Sequence, residues 1–215
     1  MSDYLNLYDY RCRMSALYRE RTHSFAEGQD AEMILHRFRQ RKDALFAHHP
    51  QSALDAEQQR HFRGLRYFPY QPALRCSATL ERTEHPIAEE LVVSAKETLP
   101  LLTVGLLHFV IAEEPVTLSL YWLDLYGGGL FLPFRDTTCP RESYGGGRYL
   151  FDTIKGSEPF SPLGEQEWQQ MTLDFNYAYN PSCAYNHRWI CPLAPRENHL
   201  TVAIGAGEKR YWSEA

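Results

Sequence analysis

From Phe62 onward, apolar residues recur mostly at every second position, which is the pattern of strands that bury one face. Six stretches are predicted as strands: residues 74–80, 91–95, 101–111, 116–122, 130–134 and 200–204. Turn signals separate most of them, and strand and helix do not alternate. A polar stretch at 156–170 is expected to be a surface loop. The pattern favours a mainly β fold, an antiparallel meander that closes into a barrel or a compact sandwich.

The earlier part of the chain has the period of helices. Residues 10–18 place apolar side chains on one face, which predicts an amphipathic helix. Asp30 is the expected N-cap of a second helix that runs to about His48. Its basic side chains either contact an acidic partner or form a solvated face. We therefore expect one or two helices in an N-terminal segment (residues 1–55) packed on an antiparallel β domain (residues 56–215).

Composition narrows the class of protein. The formal net charge is −5, and the acidic excess lies beyond residue 66, which disfavours a nucleic-acid-binding surface there. No apolar run reaches the roughly 20 residues of a membrane span, and the first residues lack the apolar core of a signal peptide. The five cysteines are scattered, unlike a secreted disulfide framework. We expect a cytoplasmic protein that binds neither nucleic acid nor membrane.

Two segments are rich in residues that carry chemistry: FRDTTCPRESYGGGRYL (134–150) and LDFNYAYNPSCAYNHRWICPLAPRENHL (173–200). Together with HPQSAL (49–54), FRGLRYFPY (62–70) and AGEK (206–209), they resemble a family of bacterial and archaeal proteins, the domain of unknown function 1684. The resemblance implies a shared fold and a common polar site, and it implies no activity. Some longer relatives carry an extra β-rich segment before FRGLRYFPY, so this chain, with helices there, resembles the short form.

The 136–148 loop gathers polar side chains around three consecutive glycines. Its candidate ligand-binding residues are Asp136, Glu142, Tyr144 and Arg148. Glycine permits a close approach of the backbone to a ligand, and an arginine beyond such a loop can fork onto a carboxylate or phosphate. The alternative is that Arg148 pairs with Asp136 or Glu142 and only ties the loop down.

The 174–198 segment supplies a second group of candidates. These are Asp174, Asn176, Tyr179, Asn180, Glu197 and Asn198. A strand over this region would place Asp174 and Asn176 on one face. Asp174 and Glu197, if brought together, could act as general acid and base once burial separates their pKa values. The amide and tyrosine side chains would then orient a polar ligand. Alternatively, they satisfy backbone groups of an irregular segment.

Cys183, His187 and Cys191 form a C-x3-H-x3-C pattern. Thiolate and imidazole groups are zinc ligands, but the spacing matches no common zinc signature. No cofactor is therefore expected, and zinc is the alternative. A Cys183–Cys191 disulfide or a catalytic thiol with His187 as base are further alternatives. The simplest interpretation is that both cysteines are small buried hydrophobes.

These observations predict a protein that binds a small polar or anionic molecule in a pocket formed by the 136–148 loop and the 174–198 segment. In an enzymatic form with hydrolytic chemistry, Asp174 or Glu197 would be the acid or base, and Arg148 would anchor an anionic ligand. The alternative is a non-catalytic interaction or structural module in which the same residues rigidify the fold. Sequence alone leaves open whether the chain is an enzyme.

Overall fold

The computed structural model describes residues 3–94, 97–160 and 169–211. Its helices are α1 (Tyr4–Ala26), α2 (Ala31–His48) and α3 (Ala56–His61). Its strands are β1 (Arg75–Ser94), β2 (Glu97–Ile111), β3 (Glu114–Leu123), β4 (Gly129–Phe134), β5 (Arg148–Asp152) and β6 (Gln170–Asp174). They form one antiparallel sheet, in the order β5-β4-β3-β2-β1-β6, that curls into a half-barrel. The predicted barrel-like fold with N-terminal helices is confirmed. Much of the predicted polar loop, residues 161–168, lies outside the described residues.

Aspartates mark where the helices begin. Asp30 accepts the N–H of Met33 at 2.9 Å and so caps α2 at the predicted residue. Asp55 and Gln58 form a capping box on α3. This helix was not predicted because its six residues are too few to display a helical period.

The main core lies on one face of the sheet. It includes Leu107, Phe109, Leu118, Phe134 and Phe175, each no more than 5% exposed. Burial of a side chain of this size stabilises the folded state by roughly 2 kcal/mol relative to exposure. The predicted alternation of apolar residues along the strands therefore supplies the principal hydrophobic stabilisation.

A second apolar cluster lies on the opposite face of the sheet, and a β-bulge in β2 directs side chains into it. The pairing of β2 with β3 shifts register between Thr103 and Gly105, so Leu101 and Leu107 point to opposite faces. Leu101 joins a second cluster of buried side chains that includes Tyr121. One sheet thus carries apolar clusters on both sides.

The curl of the sheet brings its two ends together. Tyr149 in β5 and Tyr179, which follows β6, exchange two backbone hydrogen bonds of 2.8 and 3.0 Å. The helices pack near this seam, where Phe38 of α2 contacts Tyr18 and Tyr177 edge-to-face, with centroid distances of 5.0 and 4.9 Å. The segment after β6 is therefore enclosed between the sheet and the helices.

The first two predicted strands are one strand. Stretches 74–80 and 91–94 both belong to β1, whose register with β2 shifts between Arg82 and Ile87. Pro86 lies within this shift, where its missing N–H removes a donor from the ladder. The proline was a turn signal in the sequence, but the chain bulges there instead of turning.

The strand predicted at residues 200–204 is wrong. These residues form no strand because their backbone groups bond elsewhere. The Leu200 N–H donates to the carbonyl of Arg135 at 2.7 Å, and the Ile204 N–H donates to Asp136 Oδ2 at 2.8 Å. A side-chain carboxylate thus replaces a strand neighbour as the acceptor.

Candidate functional site

The structure places the predicted site residues in separate surroundings. Asp136 and Arg148 form a buried ion pair. Asp174 lies at the end of β6, and Glu197 is exposed on a turn beside β3. Within the described part of the chain, no contact joins Asp174 or Glu197 to the Arg148 ion pair. The predicted residues therefore have to be considered one group at a time.

Arg148 holds the C-terminal segment against the sheet. Its side chain is completely buried, with Nη2 at 3.1 Å from Asp136 Oδ1 and 2.8 Å from the carbonyl of Ile204. Nη1 donates to the carbonyls of Ala206 and Glu208. Nε has no partner, but protein atoms enclose it. Burial lowers the pKa of Arg148, and Asp136 opposes this shift. The contacts favour the predicted structural alternative for this arginine.

Both carboxylate oxygens of Asp136 also accept hydrogen bonds from within the protein. Its Oδ2 accepts the N–H groups of Ile204 at 2.8 Å and Thr138 at 3.2 Å. Its Oδ1 accepts from Arg148 and from the thiol of Cys139. A carboxylate with four donors has little capacity left for a ligand.

Two of the predicted asparagines also bond to distant backbone. Asn198 accepts the N–H of Ser119 at 2.7 Å and donates to the carbonyls of Ser119 and Pro133 at 2.9 and 2.7 Å. Asn176 accepts the N–H of Gln71 and donates to its carbonyl, both at 2.9 Å. Each amide therefore stands in for a missing strand neighbour.

A second buried ion pair joins Lys42 of α2 to Glu208 of the C-terminal segment. The Nζ–Oε1 distance is 2.8 Å, and the side chains are 3% and 1% exposed. Glu208 Oε2 accepts the N–H of Asn180 at 2.9 Å and the hydroxyl of Tyr185. Burial, and then the charge of Glu208, raise the pKa of Tyr185, so this hydroxyl stays a donor. Asn180 also donates to the carbonyl of Lys209. This cluster ties the helices to the sheet.

Three other predicted ligand-binding residues lie away from Asp174. Glu142 is exposed, and Tyr144 is half-buried with its hydroxyl 3.6 Å from Cys183 Sγ. The hydroxyl of Tyr179 hydrogen-bonds to Ser157 Oγ. None of the three lines the cleft at Asp174.

Asp174 is the predicted residue that lines a cleft. The cleft lies between α1, β5, β6 and residues 158–160, and the space it offers to the centres of water-sized groups is about 10 Å³. Its polar lining comes from Arg21, Glu158, Thr172, Asp174 and Tyr177. A guanidinium, two carboxyl groups and two hydroxyls thus share a small opening at the surface.

Arg21 places a buried cation in this cleft. Its side chain is 3% exposed, and Nη2 donates to the carbonyls of Glu158 and Pro159 at 3.1 and 3.0 Å. The guanidinium lies 3.8 Å from the ring centre of Phe160. Nε is buried without an acceptor, and no carboxylate of the described residues lies within 4.0 Å of the guanidinium. Burial lowers the pKa of Arg21 to about 10, so the charge is incompletely compensated.

Asp174 does not share a strand face with Asn176, so that prediction is wrong. Asn176 lies in a turn after β6 and donates its N–H and Nδ2–H to Asp174 Oδ1 at 3.0 and 2.9 Å. Burial nevertheless raises the pKa of Asp174, although Arg75 and Arg21 are nearby. The hydroxyl of Tyr177 is buried without a partner. The cleft therefore offers both an unpaired donor and a carboxyl group that binds a proton readily.

Cys183 and Cys191 lie together, but His187 does not join them. The Cys183 N–H donates to Cys191 Sγ at 3.3 Å, and no cysteine forms a disulfide. His187 is exposed. In the described ranges, no three histidine, cysteine or acidic side chains are placed to hold a metal ion. The zinc alternative stays a prediction without a supporting cluster there.

Fold and site together define a half-barrel domain in which buried polar motifs hold the C-terminal segment on the sheet. Residues 60–209 match the model of the family described as "Protein of unknown function (DUF1684)", and the chain belongs to this family. It is also similar to the solution NMR structure of the uncharacterized protein from gene locus rrnAC0354 of Haloarcula marismortui. Identity is 38%, the TM-score is 0.60, and the match covers 83% of this chain and 93% of that chain.

No curated protein matches this chain. The family is described as one of unknown function, and the similar archaeal protein is uncharacterized, so neither supplies an activity. Among the described residues, no helix has both the length and the apolar character to cross a membrane. The function therefore has to be argued from the side chains.

Four buried charged side chains were missed by the sequence predictions: Arg21, Lys42, Glu208 and Asp152. A signal was present for the first two, since Arg21 continues the apolar stripe of α1 from Leu17, and Lys42 continues that of α2 from Phe38. A charged residue at such a position is expected to be buried with its helix face. Glu208 gave no such signal because it lies outside the periodic segments, in an isolated bridge with Tyr67.

We expect Arg148→Met to lower the free energy of unfolding by roughly 3–5 kcal/mol, because it leaves Asp136 buried without its partner. Arg13→Met is the matched control, since Arg13 pairs with Asp9 on the surface, with side chains 59% and 45% exposed. This second change should cost no more than about 1 kcal/mol. Urea denaturation of both variants measures the difference. Similar losses for the two would contradict the anchoring role of Arg148.

Proposed function

We propose that the cleft at Asp174 binds a small anionic group, a carboxylate or a phosphate, and that Arg21 is its anchor. The observation that carries the proposal is the buried guanidinium of Arg21, which has no carboxylate partner among the described residues. Guanidinium N–H groups match the oxygens of carboxylates and phosphates in geometry and charge. An anion in the cleft would supply the charge partner that this guanidinium lacks among the described residues.

The protein groups around Arg21 offset only part of the cost of burying its charge. Nη2 donates to Thr22 Oγ1 and to two carbonyls, and three aromatic rings lie within 5.1 Å of the guanidinium carbon. A cation–π contact is worth about 0.5–2 kcal/mol, whereas burying an ion costs several kcal/mol. The neutral oxygens and aromatic rings reduce the free-energy cost of burying the guanidinium. A bound anion would reduce this cost further.

Other groups in the cleft also favour an anion. The buried hydroxyl of Tyr177 can donate to it. Arg75 lies over the ring of Phe160 at 4.8 Å, and none of the described carboxylates is within 4.0 Å of it. Its charge acts against that of Arg21, which a bound anion would relieve. The carboxylate of Glu158 opposes anion binding, so the balance of charge has to be tested directly.

Asp174 would couple anion binding to proton uptake. Burial already raises its pKa, and a neighbouring negative charge raises the pKa of a carboxyl group further. The anion therefore binds most tightly when Asp174 is protonated. Affinity should be highest below the pKa of Asp174 in the free protein and should fall as pH rises through the interval between its free and bound pKa values.

The proposal divides the residues predicted from sequence into two groups. The contacts of Asp136, Arg148 and Asn198 support a fold-rigidifying role, as in the structural alternative. Asp174 belongs to the binding cleft. A hydrolytic mechanism would need a second carboxyl group beside it, and Glu158 lines the cleft whereas Glu197 does not. The proposed function is therefore anion binding, without an assigned catalytic step.

We expect the wild-type protein to bind inorganic phosphate or acetate saturably, and Arg21→Met to bind the same anion at least about tenfold more weakly, a loss of about 1.4 kcal/mol. The control is Arg19→Met, which removes an exposed guanidinium from the same helix. Titration calorimetry at constant ionic strength measures both, with circular dichroism to confirm folding. Binding that survives in folded Arg21→Met, or the absence of binding in wild type, would exclude the proposal.

We expect Asp174→Asn to bind the anion more tightly than wild type at neutral pH, because it removes the negative charge while its Oδ1 can still accept from Asn176. The affinity of wild type should fall by about tenfold as pH rises from 4 to 7. The affinity of Asp174→Asn should change less over the same range. Repeating the calorimetric titrations across this range tests the coupling. An identical pH profile for variant and wild type would show that Asp174 does not take up the proton.

A further inference from the structure

Cys183 and Cys191 form a thiol pair that the anion cleft does not use. The Cys183 N–H donates to Cys191 Sγ at 3.3 Å, so the two cysteines lie side by side. The hydroxyl of Tyr144 contacts Cys183 Sγ at 3.6 Å. Neither cysteine lines the cleft at Asp174. The pair is thus a separate feature that needs its own explanation.

The loop between the two cysteines is pinned to the body of the protein. Arg188 donates to the carbonyls of Ser52 and Leu54 at 3.3 and 3.0 Å. The indole N–H of Trp189 donates to the carbonyl of Ala53 at 2.8 Å. These bonds fix the path of the loop, so Cys191 Sγ stays beside the backbone of Cys183. A disulfide would need the two sulfur atoms to approach to about 2.0 Å.

The two thiols are not equivalent. Hydrogen bonds from the Cys183 thiol and from the N–H groups of Cys183 and Ser182, with the positive charge of Lys155, lower the pKa of Cys191 to about 6, although burial opposes this. The hydrogen bond to Cys191 raises the pKa of Cys183, which keeps its proton. The pair therefore combines a thiolate, the reactive form of cysteine, with a neighbouring thiol.

Access to the pair is from the side of Cys183. Cys191 is 5% exposed, whereas Cys183 is only half-buried. This arrangement excludes large reagents from Cys191 and favours a small oxidant. By contrast, Cys12 is exposed on α1.

We propose that Cys183 and Cys191 are a redox site for small hydroperoxides. The Cys191 thiolate attacks the terminal oxygen of the hydroperoxide, the O–O bond breaks, and the alkoxide takes up a proton and leaves as an alcohol. Cys191 becomes a sulfenic acid. The Cys183 thiol then attacks this sulfur, a disulfide forms and water leaves. Two electrons pass from the thiols to the hydroperoxide, and a dithiol reductant restores the pair.

The test is reaction of the full-length protein with one equivalent of hydrogen peroxide, followed by mass spectrometry. Wild type should lose two free thiols and about 2 Da of mass, and peptide mapping should find a Cys183–Cys191 bridge that dithiothreitol reverses. Cys183→Ser should stop at a sulfenic acid on Cys191 that dimedone traps. Cys191→Ser should react at least about tenfold more slowly. Cys12→Ser is the matched control and should react like wild type.

The proposal is overturned if Cys183 and Cys191 stay reduced while Cys12 or another cysteine is oxidised. It is also overturned if Cys191→Ser consumes peroxide at the wild-type rate. If a serine variant does not fold, peptide mapping of oxidised wild type still decides the matter. The peroxide experiment tests the cysteine pair only. Titration of the same sample with phosphate or acetate tests the anion cleft at Arg21 only, so one proposal can fail without the other.

Discussion

The rest of the structure depends on the buried ion pair between Arg148 and Asp136. Arg148 binds three carbonyls of the irregular C-terminal segment, and Asp136 accepts an N–H from the same segment. This segment carries Glu208, whose carboxylate meets Lys42 of α2. One guanidinium therefore connects the sheet to the helices. Removing it would leave Asp136 buried without its charge partner and three carbonyls of this segment without their donor.

Arg148 and Arg21 show why burial of a charge alone does not identify a binding site. Both guanidiniums are almost completely buried. Arg148 has a carboxylate partner and protein carbonyls on both Nη atoms. Arg21 has carbonyls and aromatic rings but no ion pair among the described residues, and it lines a cleft. The Nε of each is buried without a partner, so the difference between them is the carboxylate, and this difference is why we propose a ligand for Arg21 only.

Local pattern predicted β2, β3 and β4, the two ends of β1, the N-terminal helices and the end points of α2, because apolar periodicity and capping act over a few residues. It did not predict β5. The sequence also offered an ion pair of Arg148 with Asp136 or Glu142 as the alternative to ligand binding, since these residues lie in one short loop. The strand expected at 200–204 failed because Asp136 replaces a strand neighbour, which depends on tertiary structure. The apolar stripe of α1 already indicated that Arg21 is buried, but the cleft could not be predicted, because it joins residues of α1 and β6 that lie about 150 positions apart in the sequence.

The central claim is that Arg148 belongs to the fold whereas Arg21 is open to an anion. The most direct test is NMR of the arginine side-chain N–H groups during a titration with inorganic phosphate. We predict that the Nε–H resonance of Arg21 shifts saturably, while that of Arg148 keeps its position and stays protected from hydrogen exchange. A shift of the Arg148 resonance with an unchanged Arg21 resonance would contradict this claim. It would indicate that the anion binds at the 136–148 loop.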